Sequence, residues 1–184
     1  VARPFAMTHW APQTEDSARF YQPTARQLQG IRATHQPSPW IGDYGHFLFC
    51  PQSGRRFLQG SQRSSVFRAE DTTLGPHYFR TFLGRYRTSV EITPTERCAL
   101  VRLNFPEGEP ARLIVDLFDG QCEFVFDEAQ GTLSGFTRAN SGGVPDNYAL
   151  YFYIEADSPV KDGGFFKGGG VWEGETRRLG DKLG

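Results

Sequence analysis

The sequence predicts an all-β domain, an antiparallel β-sandwich, and three observations predict it. Apolar and polar residues alternate with a period of two in several short runs. Turn-forming Gly (21) and Pro (12) punctuate those runs. No window carries the sustained i, i+3, i+4, i+7 apolar stripe of an amphipathic helix. Sixteen Phe, seven Tyr and three Trp add the bulk that pleated surfaces favour. A chain of 184 residues holds one domain with a sizeable core, so a single domain over 1–184 is expected.

Taken in chain order, GHFLFC (45–50) is the first strong strand candidate. In RYRTSVEIT (85–93), Tyr86, Thr88, Val90 and Ile92 alternate with Arg87, Ser89 and Glu91; in CALVRLNF (98–105), Ala99, Val101, Leu103 and Phe105 alternate with Cys98, Arg102 and Asn104. Both read as strands buried on one face. ARLIVDLFD (111–119) and YALYFYIEA (148–156) are apolar on both faces, which predicts inner strands covered on each side. QCEFVFD (121–127) and TLSGFTRA (132–139) complete the set, and the tail GGGVWEGETRRLGDKLG reads as a glycine-rich turn and a polar strand or loop. EDSARFY (15–21) and PTARQLQ (23–29) are each long enough for a helical turn or two. Roughly ten-residue spacing of strands, with turn signals between them, is the pattern of a sandwich. Both termini read as cut, because they leave strands without partners.

Charge excludes some function classes. Twenty Lys and Arg against 21 Asp and Glu leave no field to recruit nucleic acid or an anionic membrane. No apolar run approaches the about eighteen residues of a membrane span, and VARPFAMTHW lacks a signal-peptide layout, so the chain is cytosolic or its signal lies upstream. Cys50, Cys98 and Cys122 form no metal-type spacing and are expected to be buried thiols in strands. His9, His35, His46 and His77 are scattered, with no HxH or HExxH pattern, and no Gly-x-Ser-x-Gly elbow surrounds a serine. Glu70, Asp71 and Glu96 read as turn caps or surface ion-pair partners; spacing alone promotes none of them to a catalyst.

One stretch breaks the sandwich pattern: GIRATHQPSPWIGDYGHF (30–47). Its two prolines rule out a helix or a central strand, so a shaped loop is expected. Trp40 and Tyr44 offer apolar faces with polar handles, suited to the C–H faces and hydroxyls of a sugar, while His35, Gln36 and Asp43 supply directional hydrogen bonds. A proline-held loop keeps those groups oriented before a ligand arrives. The competing reading, with equal support from the residues alone, has Trp40 plugging the end of the sandwich and Asp43 capping the turn.

GIRATHQPSPWIGDYGHFLFCP (30–51) also resembles the Gly-Phe-x-x-Thr-His and Gly-Asp-x-Gly segment in the N-terminal domain of glycoside hydrolase family 92, the calcium-dependent exo-α-mannosidases. RPFAMTHWAPQT resembles that family's Leu-Pro-Phe-Gly-Met stretch leading to Ser-Pro-Asp-Thr. AEDTTLGPHYFRTFLGRYRTSVEITPTERCALVRLNFP resembles its Glu-x-x-x-Pro-Gly-Tyr-Tyr run and the strand pair ending in Phe-Pro. LSGFTRANSGG and YALYFYIEADSPV resemble its Ile-x-Gly-x-Arg strand and the Tyr-Phe strand ending in Ser-x-Pro. Four motifs in the family's order cover Arg3 to about Val160.

The resemblance implies a galactose-mutarotase-like supersandwich belonging to a larger parent, an inverting α-mannosidase placed outside the cytoplasm: secreted, periplasmic or at the cell surface. Its general acid, general base and most calcium ligands are implied to lie on a C-terminal (α/α)6 domain, so that these 184 residues are a truncated N-terminal domain and catalyse nothing alone. The loop would then form one wall of the mannose crevice, with His35 and Trp40 touching an α-mannoside or N-glycan-type oligosaccharide and Asp43 orienting the loop or a water near the metal. Gln36-Pro37-Ser38-Pro39-Trp40 departs from the family's usual Trp or Leu followed by Ser-Gly-Thr-Gly, which bears on linkage or outer-subsite preference. A stand-alone carbohydrate-binding module and a purely structural bracing domain are the alternatives.

Overall fold

Alternation becomes strand along most of the chain. A computed structural model describes residues 1–16, 21–22, 24–35, 46–140 and 142–184. The strands begin with β1 (His9–Gln13), β2 (Gln27–Leu28), β3 (Gly30–Thr34), β4 (Phe47–Ser53) and β5 (Ser65–Val66). They continue with β6 (Thr73–Gly75), β7 (Tyr78–Leu83), β8 (Thr88–Pro94), β9 (Ala99–Asn104), β10 (Ala111–Asp116) and β11 (Gln121–Asp127). The last are β12 (Thr132–Thr137), β13 (Leu150–Glu155), β14 (Gly164–Lys167), β15 (Gly170–Glu173) and β16 (Arg177–Asp181). A short 3₁₀ turn at Gly60–Arg63 is the helical element among the described residues. The described chain is therefore all-β, with antiparallel registers in β1–β3, β2–β5, β6–β7–β8–β9, β13–β12–β11–β16 and β14–β15.

Residues sort into two compact units, 1–42 with 48–115 and 43–47 with 116–184. The first holds two four-stranded sheets, ordered β1-β3-β4-β10 and β6-β7-β8-β9, and the short β2-β5 pair. In β8 the predicted inward set, Thr88, Val90 and Ile92, is buried, and Tyr86 just before the strand is buried with it. β4 is apolar over FLFC and buried along its whole length, as expected of a strand with a neighbour on each side. The second unit holds the sheet β13-β12-β11-β16 and the hairpin β14-β15. Its core is aromatic: Phe124 meets Phe152 edge to face at 5.6 Å and Phe165 at 6.0 Å, and Phe47 lies 5.3 Å from Phe152. Gly135 lets β12 approach β11, since a Cβ there would collide with the Glu123 carbonyl oxygen.

Three expectations are corrected. β10 and β13 are end strands of their sheets among the described residues, not inner ones, and Leu113, Tyr151 and Tyr153 are exposed. Apolar residues on both faces report what a strand is able to bury, not what covers it. Helical turns do not form over the described part of PTARQLQ; Gln27 and Leu28 instead pair with Val66 and Ser65, because Leu28 finds a buried place in that short ladder. EDSARFY falls largely outside the described residues. Cys50 and Cys122 are buried strand thiols, whereas Cys98 is exposed in the β8–β9 turn, where its N–H bonds Thr95 Oγ1 at 3.0 Å.

Candidate functional site

Of the stretch 30–47 expected to be a loop, Gly30–Thr34 is instead strand β3, lying between β1 and β4, because the prolines that exclude a central strand come only at Pro37 and Pro39. Every residue of β3 is buried, and its register against β1 sets Ala33 opposite Trp10 and Thr34 opposite His9. His35 follows directly and is half-buried, so its imidazole sits where a fully covered strand gives way to the loop. Of the five candidate ligand-binding residues, His35 is the one within the described residues; Gln36, Trp40, Asp43 and Tyr44 lie outside them. At the far end, His46 stacks at 5.0 Å on Phe118, tilted by 51°, immediately before β4 begins.

The strands that carry the loop are fixed from behind by buried polar groups. Gln13 Nε2 donates to Gln29 Oε1 at 3.0 Å, and Arg32 Nε donates to Gln13 Oε1 at 3.0 Å. All three side chains are buried, and leaving such groups unpaired costs more than the net value of each bond, so the network holds the β1–β3 register in place. No sequence motif marked this network: a glutamine or arginine in an otherwise apolar strand is the signal, and it is visible only once neighbours are known.

A second buried network lies at the other end of β4. The Gln52 side chain donates to the Phe57 carbonyl at 2.7 Å and accepts from the Phe57 N–H at 2.9 Å, closing the 52–57 turn. Tyr86 Oη donates to the Arg63 carbonyl at 2.7 Å, Arg63 Nη1 donates to the Leu58 carbonyl at 2.9 Å, and Ser53 Oγ donates to the Tyr86 carbonyl. Burial pushes the Cys50 thiol up to about 11 against the lowering effects of the Arg63 charge and the Gln52 hydrogen bond. Burial likewise pushes the Tyr86 phenol up to about 12. Both groups are therefore neutral near pH 7 and are bracing rather than reactive.

Several described carboxylates stand in ordinary structural pairings. Glu91 accepts from Tyr78 Oη at 2.8 Å, Glu123 pairs with Arg177 at 2.7 Å, and Glu175 with Arg178 at 2.6 Å. Glu70, Asp71 and Glu96 are exposed in turns. Asp71 lines a shallow groove of about 310 Å³ with Val66, Arg68, Phe82 and Gly84, none of them a predicted site residue. Among the described residues no group of three or more His, Cys, Asp or Glu is arranged to hold a metal such as calcium. What the described part of the site holds is a buried strand end followed by the half-buried His35.

Comparison with known proteins gives this geometry a context. Residues 1–184 match the Glycosyl hydrolase family 92 N-terminal domain. Among solved structures, the family GH92 inverting mannosidase BT2199 of Bacteroides thetaiotaomicron VPI-5482 is similar, with 32% identity and a TM-score of 0.94 over 100% of this chain and 25% of that one. The family GH92 alpha-mannosidase BT3965 of Bacteroides thetaiotaomicron shares the fold, with 21% identity and a TM-score of 0.83 over 99% of this chain and 28% of that one. The chain thus spans about a quarter of the length of these solved relatives. Comparison with curated protein sequences returned no match.

Proposed function

The chain belongs to the glycosyl hydrolase family 92 N-terminal domains over its full length, and from that membership we propose that it is the sandwich part of an exo-acting, inverting α-mannosidase. It supplies one wall of the mannose-binding crevice, while the acid and base lie on a helical domain outside these 184 residues. The observation that carries the reading is the relative described as an inverting mannosidase, which matches this chain from end to end at 32% identity.

Inversion at the anomeric carbon needs a carboxylic acid to protonate the leaving oxygen and a carboxylate to activate water on the opposite face. The part assigned to this chain is to hold the sugar. The His35 imidazole, at the covered end of β3, hydrogen-bonds a ring hydroxyl; Trp40 lays an apolar face on the sugar C–H groups; Gln36 and Tyr44 add hydrogen bonds, and Asp43 orients the loop or a water. Groups held before the sugar arrives lose less freedom on binding, and the buried Gln13–Gln29–Arg32 network behind β3 supplies that stiffness. Calcium belongs to the same proposal as an oxygen-coordinated cation whose ligands would lie mostly outside this chain.

The test is to incubate the intact polypeptide with a terminal α-mannoside and follow the released sugar by proton NMR from the first turnover. β-Mannose appearing first supports the reading. First release of α-mannose, or no release from any terminal α-mannoside, overturns it.

A further inference from the structure

The Phe57 ring, in the turn that follows β4, carries two guanidinium groups: Arg85 lies 4.7 Å and Arg55 5.2 Å from its centroid. Both arginines are exposed, and neither forms an ion pair among the described residues. Glu109 is taken up by Arg87, and Asp16 lies beside Gly60, where a Cβ would come within 3.6 Å of its Oδ2. A third cation, Arg63, is buried behind the turn, close enough for its charge to act on the Cys50 thiol. An aromatic face attracts a cation through its quadrupole but does not neutralise it. Positive charge therefore gathers at this end of β4 with no carboxylate to balance Arg55 or Arg85.

The pair is also held in place. The buried Gln52 side chain clamps both backbone groups of Phe57, and Arg112 Nη1 donates to the Gly54 carbonyl. Arg85 Nη1 donates to the Gln62 carbonyl at 2.6 Å, and the Arg85 backbone N–H donates to Ser65 Oγ at 3.0 Å. Little freedom is left in the turn to be lost when a ligand arrives. Arg55 touches only the ring, so its N–H groups face outward without a protein acceptor.

We propose that Arg55 and Arg85 form a binding site for a tetrahedral oxyanion, a phosphate or sulfate group, free or as an ester. Charge selects the class, because two guanidiniums on one ring complement a doubly charged group and a neutral sugar would leave both uncompensated. Geometry narrows it. Each guanidinium offers parallel N–H bonds to a pair of oxygens, and a tetrahedral oxyanion has oxygens enough for both forks where a single carboxylate does not. The site stands at the opposite end of β4 from the 35–46 stretch and is independent of the mannoside reading.

Phenylglyoxal labelling of arginines in the intact polypeptide, resolved by peptide mapping, tests this with inorganic phosphate, inorganic sulfate, a hexose 6-phosphate and the unphosphorylated hexose as probes. The expected result is saturable protection of Arg55 and Arg85 by an oxyanion, while Arg97, exposed in the β8–β9 turn, is labelled throughout. Protection by the ester at lower concentration than by the free ions identifies an ester-bearing molecule as the ligand; equal or weaker protection identifies the free ion. No protection by any oxyanion overturns the site, as does equal protection of Arg97 or protection by the neutral hexose. So does protection by oligoglutamate that no oxyanion reproduces, which would assign the pair to an acidic segment. Calorimetric titration with the protecting oxyanion gives a second reading. Arg55→Ala, which removes a side chain that touches only the ring, should weaken binding by about tenfold or more at an unchanged Tm, and Arg97→Ala should leave it unchanged. Wild-type affinity in Arg55→Ala overturns the site as well.

Discussion

Gly30 at the start of β3 and Leu48 in β4 meet: a Cβ placed on Gly30 would lie 2.5 Å from Leu48 Cδ2 and 2.7 Å from the Phe49 carbonyl oxygen. β3 and β4 are in contact there through a missing side chain. The residue that opens the unusual stretch is thus glycine for reasons of space.

Gly30→Ala should destabilise the protein by about 1–3 kcal/mol, because the oxygen it meets is backbone and cannot swing aside. Gly135→Ala, whose methyl would meet the Glu123 backbone carbonyl, should be destabilising too. Urea unfolding followed by tryptophan fluorescence reads both. Wild-type stability in either variant would show that the strands stand further apart.

Tyr86→Phe removes the bond to the Arg63 carbonyl and leaves a buried acceptor unpaired, at a cost of about 1–2 kcal/mol near pH 7. The same change should flatten the alkaline limb of stability. Folding raises the Tyr86 phenol from 10.0 to about 12 and the Cys50 thiol from 9.0 to about 11. The unfolded chain therefore loses these protons first, so the stability they contribute is complete below pH 9.0 and is lost as pH rises through about 11 and about 12. Stability profiles of wild type and Tyr86→Phe that run parallel between those limits would contradict the assignment.

Alkylation at pH 8 followed by peptide mapping should label Cys98 in the native protein and leave Cys50 and Cys122 unlabelled until it is unfolded. Both buried thiols are raised by burial, so they are covered and protonated. Equal labelling of Cys50 and Cys98 in the native state would overturn the packing of β4.

Strands with a strict period of two were legible before any coordinates, because alternation in β8 dictates which side chains a one-sided core takes in. YALYFYIEA was misread for the opposite reason: Tyr151 and Tyr153 are apolar enough to be covered, yet nothing local says by what. Gly30 and Gly135 were invisible as packing devices, since their role depends on a carbonyl brought close by another strand. Around the candidate ligands, GIRAT was read as part of a loop, yet Gly30–Thr34 is a buried strand between β1 and β4; the prolines that exclude a central strand come only at Pro37 and Pro39. The bracing pairs Gln13–Arg32 and Arg63–Tyr86 were not, because their partners lie 19 and 23 residues apart and carry no motif.

The most direct measurement is kcat/KM for a terminal α-mannoside in the intact polypeptide carrying Trp40→Ala, with thermal stability recorded alongside. Loss of a stacking wall for the sugar predicts a fall of roughly two orders of magnitude at an unchanged Tm. Wild-type kcat/KM in that variant would remove this loop from the mannoside site.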